Sequence, residues 1–339
     1  MHFSWDVNAS ASRLVSSMTG RLVVGRYRLG QVLERGTLYT TYEAYDVETK
    51  APVAIELLEK PMNAGLPGAK ALRREARRLV DAAHAGLRAV HTVGVEGGVP
   101  FLVTAPFAGE SLRERLTRSG PLAVAESVAI ALQVIDALAL AHAAGLVHGN
   151  LEPEKIRLVP GASGATVARV MGLGVPALLA TMRDVDARRL GTPPYLAPEQ
   201  LDAAAPVTEE VTDVWGIGLL VFEMLTGRRA FDGTSVENVS RQIATPGMVR
   251  VRHLRAEVPM SLERIVNAAL ARARQQRLSL RDLRRALLDV QVECVPKLAS
   301  TTARMVQKPT GIVDLSDPCD DVEGTTDLYV FVETDLGSL

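Results

Sequence analysis

The segment from Val147 to Lys155 (Val-His-Gly-Asn-Leu-Glu-Pro-Glu-Lys) concentrates side chains that could do chemistry. An imidazole, an amide, two carboxylates and an ammonium group lie within one short loop. A histidine acts as a general base when a carboxylate orients its ring. No carboxylate lies next to His148 in the loop. We therefore expect His148 to be a core residue, neither a base nor a ligand.

The same loop resembles the catalytic loop of protein kinases, His-Arg-Asp-Leu-Lys-Pro-Glu-Asn, with its chemical side chains exchanged. Asn150 stands where that family has its catalytic aspartate, and Gly149 where it has arginine. Glu152 replaces the lysine, and Lys155 replaces the metal-binding asparagine. Phosphoryl transfer needs a carboxylate at the nucleophile and oxygen ligands for the metal. The resemblance thus implies that the reaction is lost.

The resemblance to bacterial-type Ser/Thr protein kinases covers roughly residues 26–293. The segment 191–200, Gly-Thr-Pro-Pro-Tyr-Leu-Ala-Pro-Glu-Gln, is similar to the end of a kinase activation segment, and Asp213-Val-Trp-Gly-Ile-Gly218 to the helix that follows. Arg277 stands where the family has the arginine that pairs with the glutamate, here Glu199. The resemblance implies an α+β, two-lobed fold: a small five-stranded β lobe with one helix, a large mainly helical lobe, and an acidic tail.

The nucleotide-binding positions are altered in the same way. In the family, three glycines let the backbone close over the phosphates; here Glu34 and Tyr39 hold two of these positions, and only Gly36 remains, which we interpret as a hairpin residue. The strand lysine that neutralises the phosphates is replaced by Glu56. Carboxylates repel polyanions, so we expect no ATP cofactor, or only weak binding.

Glu56 also conflicts with Glu75, the helix glutamate that normally pairs with the lysine. Two like charges about 4 Å apart, at an effective dielectric near 20, repel by about 4 kcal/mol. Three solutions remain open: the helix swings out, one carboxyl stays protonated, or an arginine such as Arg74 or Arg78 intervenes.

The metal site is also degenerate. Gly172, in Met-Gly-Leu-Gly, falls at the magnesium-binding aspartate, so both protein ligands are absent and we expect no metal. Arg157 falls where the family has an apolar floor under the adenine, although Ala54, the roof, is kept. The residues that match the family's structural framework are Glu75, Leu79, Val90, His148, Leu173, Glu199, Asp213 and Arg277.

The hydrophobic patterning predicts four segments. Residues 1–24 form a head, residues 25–107 the small lobe, residues 108–294 the large lobe, and residues 295–339 an acidic tail. Short strand-like runs fill the small lobe around one helix near 69–83, and helical periodicity dominates from residue 110 onward. After Cys294 the periodicity fails, and the tail from residue 309 has eight acidic and no basic residues.

Composition excludes several function classes. The net charge of −1 argues against a nucleic-acid or anionic-membrane partner. Two cysteines, Cys294 and Cys319, provide no disulfide framework. The start of the chain lacks the pattern of a signal peptide, and the longest apolar stretch, 127–148, is broken by polar residues and predicts a buried helix. We expect a cytoplasmic protein.

The end of the tail alternates apolar residues with a period of two, which suits a strand that adds to a sheet edge. This docking segment consists of Leu328, Tyr329, Val330, Phe331 and Val332.

These residues favour a pseudokinase that acts through protein–protein interaction, as scaffold, decoy or regulator, on another signalling protein such as an active kinase or its substrate. One alternative is an unconventional Ser/Thr kinase or nucleotidyl transferase with relocated catalytic groups. Another is a metal-independent nucleotide sensor, in which backbone groups of the hinge (residues 104–107), at Ala105 and Phe107, meet an adenine.

Overall fold

The computed structural model describes residues 18–36, 39–58, 66–82, 84–106, 108–161, 164–175, 192–201, 207–245 and 250–302. Contacts divide the chain into a first unit, Met1–Lys297, and a second, Leu298–Leu339. The first unit holds both predicted lobes. The tail segment 328–332, Phe107 and the segment 176–191 lie outside the described residues.

The small lobe is built on one antiparallel sheet with the strand order β1-β2-β3-β4-β6-β5. Its strands are β1 (Leu22–Val23), β2 (Tyr27–Arg35), β3 (Tyr39–Asp46), β4 (Ala51–Leu58), β5 (Val90–Glu96) and β6 (Val99–Thr104). The sequence predicted five strands and assigned residues 1–24 to an unpatterned head. The sixth strand was missed because two residues carry no detectable alternation; β1 pairs with β2 at the sheet edge.

The helix of the small lobe, α1 (Leu66–Asp81), connects β4 to β5. Among its residues with described side chains, the apolar face buries Leu79 at 3% exposure, while Arg73, Arg74 and Arg77 remain exposed. The helix therefore has one buried side, which includes Leu79 and also Glu75, while the apolar Val80 lies exposed with the arginines.

The large lobe is helical, as predicted. Its helices are α2 (Leu112–Ser119), α3 (Val124–Ala143), α4 (Glu210–Thr226), α5 (Val236–Ala244), α6 (Val251–Leu254), α7 (Met260–Ala269) and α8 (Leu280–Thr302). A three-stranded sheet, β7 (Glu110–Ser111), β8 (Ile156–Pro160) and β9 (Thr166–Val170), lies at the base of the cleft. Three findings differ from expectation: this three-stranded sheet was not predicted, the one-turn helix α6 gave no periodic signal, and α8 continues past Cys294.

Helix α3 has the length and apolar composition of a membrane span, but 56% of that window is buried inside the fold. It packs with α4 in the principal core, where Leu138 and Trp215 are almost inaccessible to solvent. The polar residues that interrupt this apolar stretch do not prevent most of the helix from being buried. The stretch therefore forms the buried helix that the sequence predicted.

Candidate functional site

The turn from β2 to β3 holds two of the altered nucleotide-loop residues. The Gly36 N–H donates to the Tyr39 carbonyl at 2.9 Å, which closes the hairpin. The Tyr39 ring packs against Gly36 so closely that an added Cβ would lie 2.7 Å from it. Gly36 is thus a hairpin residue, as interpreted, and also provides room for the Tyr39 ring.

A cation from the large lobe enters this turn. The Lys155 ammonium donates to Glu34 Oε1 and to the Tyr39 hydroxyl, and the hydroxyl in turn donates to Glu34 at 3.1 Å. We call Glu34, Tyr39 and Lys155 the Lys155 cluster. It joins a residue of the catalytic-loop segment to two residues of the phosphate-loop segment, and so links the two lobes directly.

The charges in the Lys155 cluster are complementary. Burial lowers the pKa of Lys155, but Tyr39, Glu34 and Glu152 oppose that shift and hold the pKa above its ordinary value. Burial raises the pKa of Tyr39 well above its usual range. At neutral pH Lys155 is therefore an ammonium ion and Tyr39 a neutral phenol, and both contact the Glu34 side chain. This is a satisfied ion pair in the place where a metal and phosphates would need room.

Glu56 is neutralised by an arginine that the sequence analysis did not consider. Arg88 Nη1 donates to Glu56 Oε1 at 2.8 Å, and both side chains are about 4% exposed. Glu75 instead accepts hydrogen bonds from Arg74 at 2.9 Å and from Arg78 at 3.4 Å. Each carboxylate thus has its own guanidinium. Of the three solutions left open, the described contacts match the intervention of arginines, with Arg88 at Glu56 and with Arg74 and Arg78 at Glu75.

Arg88 also reaches the hinge. Its Nε donates to the Ala105 carbonyl at 2.7 Å. That carbonyl is one of the backbone groups through which the sensor alternative would meet an adenine. The same guanidinium therefore engages the lysine position and the hinge. The sequence does contain a signal for the pairing of Arg88 with Glu56. Each is the single charged residue of an apolar run, the two charges are opposite, and both runs belong to the small lobe.

The catalytic-loop backbone is held by Asp213, whose carboxylate accepts the N–H groups of His148 at 2.9 Å and Gly149 at 2.7 Å. The His148 ring bonds the Met171 carbonyl at 2.7 Å, and Nδ1 accepts the Asn150 N–H at 3.2 Å. Burial lowers the pKa of His148, so the ring is neutral. These contacts place His148 in the core.

The remaining altered loop residues are also engaged by the protein. Glu152 accepts a hydrogen bond from the Thr192 hydroxyl at 2.7 Å, and burial raises the pKa of its carboxyl. Gln200 donates to the Gly149 carbonyl at 2.7 Å. Asn150 is 9% exposed. Thr192 and Gln200 thus hold Glu152 and the Gly149 carbonyl of the loop by hydrogen bonds.

The matched framework residues lie in the core or in ion pairs. Leu79 and Leu173 are buried, Val90 packs against the same core, and Glu199 accepts two bonds of 2.6 Å from Arg277. A second, partly buried network was missed: Arg113 pairs with Glu154 at 2.7 Å and with Glu223 at 2.6 Å, and Tyr195 donates to Glu223. Its members come from distant segments, so no local spacing indicates it.

The residues present do not fit magnesium and ATP. Gly172 offers no ligand oxygen, Lys155 supplies a cation at the other ligand position, and Glu34 and Glu56 place carboxylates near the phosphate path. Within the described residues, no group of three His, Cys, Asp or Glu side chains comes together to hold a metal. Magnesium binds through oxygen ligands, so the ammonium group of Lys155 cannot take the place of the missing ligand oxygen.

The similarity of this chain to known proteins identifies its family. The protein kinase domain model matches residues 27–287. The chain belongs to the protein kinase domain family. The Ser/Thr-protein kinase PknL of Mycobacterium tuberculosis is 32% identical over 252 residues, which cover 74% of this chain and 62% of PknL. PrkC of Bacillus subtilis is 27% identical over 256 residues, covering 75% of this chain and 39% of PrkC.

The chain thus spans about three fifths of PknL and two fifths of PrkC. Among solved structures, the PknI kinase domain of Mycobacterium tuberculosis aligns with a TM-score of 0.60 at 21% identity, covering 80% of this chain and 98% of that one. This likeness confirms the fold alone. Together these matches confirm the predicted bacterial Ser/Thr kinase fold, with its β lobe and helical lobe.

Proposed function

We propose that this kinase-family protein is a pseudokinase, which transfers no phosphate and acts through protein–protein contacts in a phosphosignalling pathway. The observation that carries the proposal is the Lys155 cluster. An ammonium at a metal-ligand position is neutralised by the chain's own Glu34 and Tyr39. A nucleotide phosphate would have to break this pair before it could bind.

The size of the expected loss in rate favours a protein that has lost catalysis over one whose catalytic groups have moved to other positions. Removal of a general base alone costs about 10²–10⁴ in rate. Here the base, the phosphate-binding lysine and both metal ligands are replaced together, which removes the electrostatic stabilisation on which phosphoryl transfer depends. PknL, PrkC and PkaB are named Ser/Thr-protein kinases. The proposal departs from those names because of Glu56, Asn150, Lys155 and Gly172.

Two alternatives are weaker. An unconventional kinase needs a displaced cation free to meet phosphate, whereas Lys155 and Arg88 are both committed to carboxylates. A nucleotide sensor needs the hinge backbone, whereas the Ala105 carbonyl already accepts from Arg88. The proposal also includes a cytoplasmic location and a signalling protein as partner.

The test is a phosphotransfer assay on the full chain, with radiolabelled ATP, magnesium or manganese, and generic protein substrates. The kinase domain of PknL serves as the positive control. We expect no incorporation by this protein. Incorporation that survives purification and is abolished by Asn150→Ala or Lys155→Met would refute the proposal.

Nucleotide binding is tested separately by thermal unfolding. A ligand at 100 times its dissociation constant stabilises a protein by about 2.7 kcal/mol. We expect no shift with millimolar ATP, with or without magnesium. A magnesium-dependent shift would contradict the proposal, and a magnesium-independent shift abolished by hinge substitutions would favour the sensor.

A further inference from the structure

A cavity of about 210 Å³ lies beside the hinge, and the described residues that line it include four basic side chains and no acidic one. We call it the arginine cavity and define it by Arg88, Arg157, Arg169 and His84. Backbone and apolar groups, among them Ala105 and Met171, complete its walls. The basic residues come from three separate segments, so the fold and not a local run of charge brings them together.

Two of these arginines are direct neighbours across a sheet. Arg157 on β8 pairs with Arg169 on β9 in the antiparallel register. Like charges at directly opposed positions destabilise a sheet. Burial lowers the pKa of Arg88, Glu56 opposes this shift, and the positive charge of Arg157 adds to it. The cavity therefore concentrates positive charge that folding brings into repulsion.

The protein's own carboxylates offset this charge only in part. Arg88 pairs with Glu56. Arg157 lies 3.4 Å from Glu114, whose side chain is 63% exposed, so this pair is weakened by solvent. Arg169 forms no ion pair within the described part of the chain and is exposed at the cavity wall. At least one full positive charge remains for a ligand.

His84 adds a hydrogen-bond donor. Its Nδ1 accepts the Gly86 N–H at 3.0 Å. The ring hydrogen therefore lies on Nε2, and this N–H can donate to an oxygen. Planar guanidinium groups bind phosphate oxygens through paired hydrogen bonds, which ammonium groups cannot reproduce. The guanidinium groups of Arg157 and Arg169 and the imidazole N–H match the oxygen-rich surface of a phosphate dianion, while Arg88, which is held by Glu56, contributes only its charge.

We propose that the arginine cavity binds a phosphate monoester. Ligand pockets for drug-sized molecules occupy about 300–1,000 Å³, so this smaller cavity suits one phosphate group with a short substituent and not a nucleotide. The ester is either a small phosphorylated metabolite or a phosphoserine or phosphothreonine side chain of a partner protein. This inference goes beyond the proposed function, since it requires neither the presence nor the absence of phosphotransfer.

The test is calorimetric titration of the full chain at constant ionic strength. The probes are O-phospho-L-serine, a phosphothreonine peptide and the same peptide without phosphate. We expect saturable binding of the phosphorylated probes only. Tighter binding of the peptide assigns the site to a partner protein, and equal binding of both probes assigns it to a small metabolite.

Arg169→Gln should weaken binding at least tenfold, because a charged hydrogen-bonding partner is lost. Arg169→Lys, which keeps the charge and loses the planar fork, should weaken it by a smaller factor. Arg241→Gln on α5, an exposed arginine outside the cavity, is the matched control and should leave binding unchanged.

Without ligand, Arg169→Gln should leave the melting temperature unchanged or raise it, since a repulsion is removed. This readout separates a binding residue from a structural one. The proposal is overturned if no phosphorylated probe binds at millimolar concentration, if the unphosphorylated peptide binds equally well, or if Arg241→Gln weakens binding as much as Arg169→Gln.

Discussion

Arg88 and Glu56 form a buried ion pair of 2.8 Å in the place where the kinase fold otherwise presents a lysine to phosphate. In the usual arrangement of the family, the strand carries the basic residue. Here the strand carries the acid, Glu56, and the base, Arg88, comes from the segment before β5. It explains how a glutamate is tolerated at a fully buried strand position. The charged side chains at the altered positions of the cleft therefore pair with other side chains of the protein.

Glu56→Lys, which restores the family's residue, should destabilise the protein. The change leaves Arg88 without its carboxylate and buries a second cation beside it. Breaking a buried pair costs about 3–5 kcal/mol, and we expect a loss of that order in the free energy of unfolding, measured with urea. Adding Arg88→Val should recover most of the loss. Equal stability of the single variant and the native protein would contradict the pairing.

Lys155→Met should cost about 3–5 kcal/mol of unfolding free energy, because it leaves Glu34 and Tyr39 without their cation. Glu34→Gln should cost less, since the Glu34 side chain is 27% exposed and is solvated more readily. Lys70→Met, on the exposed face of α1, is the control and should change stability by no more than about 0.5 kcal/mol. If both lysine variants behave alike, the Lys155 cluster does not stabilise the interface between the lobes.

Gly172→Asp restores the family's metal ligand, but we expect no magnesium site. Gly172 has φ of +78°, so Gly172→Ala should lose about 1–2 kcal/mol through backbone strain. An added Cβ would lie 3.6 Å from Lys155 Cδ, so the aspartate fits there and should pair with Lys155, which offsets part of the loss. Thermal unfolding with and without magnesium measures both effects. A magnesium-dependent rise in the melting temperature of Gly172→Asp would show that Lys155 leaves the metal position open.

Acid should weaken the large lobe through Glu199. Burial raises the pKa of its carboxyl, but the hydrogen bonds from Arg277 outweigh this effect and hold the pKa below its ordinary value. The folded pKa is thus lower than the unfolded value of about 4.3. The stabilisation is complete above the unfolded pKa and is lost as the pH falls through the folded one.

Glu199→Gln should therefore flatten the dependence of unfolding free energy on pH below about pH 5, measured by urea unfolding from pH 3 to 7. Glu257→Gln, which alters an exposed pair with Arg255, is the control, since solvent screens that pair. An unchanged slope in Glu199→Gln would contradict the role of the Glu199–Arg277 pair.

The tail remains a sequence prediction. Deleting residues 309–339 should weaken the capture of a protein partner without lowering the melting temperature if the segment 328–332 docks on that partner. A lower melting temperature would instead indicate docking on its own lobe. If neither quantity changes, the docking hypothesis is wrong.

Much of the fold could be predicted from the sequence because its elements are long and periodic. The helical stretch near 125–144 and the strand runs of the small lobe each show a clear hydrophobic period. The motif near Glu199 resembles that of kinases, and this resemblance predicts the order of the elements. The strand β1 and the helix α6 were missed because each contains too few residues to show a period.

The site was predictable only in part. The substitutions at Glu56, Asn150, Lys155 and Gly172 follow from matching motifs. What replaces the lost interactions depends on tertiary contacts. Arg88 lies 32 residues from Glu56, and Lys155 lies 121 residues from Glu34. Sequence spacing cannot rank such pairs, although a lone buried charge indicates that some opposite charge must meet it.

Gly149 limits how readily evolution could reverse these changes. It has φ of +64°, and an added Cβ would lie 2.5 Å from Thr208 Cγ2. A return to arginine at this position therefore requires Thr208 to move first. The same holds at Glu56, where reversal requires a prior change at Arg88. Because the family's residue is disfavoured at each of these two positions until a neighbour changes, a single substitution to it should cost stability, and two coupled changes are needed at each position to restore the family's side chain.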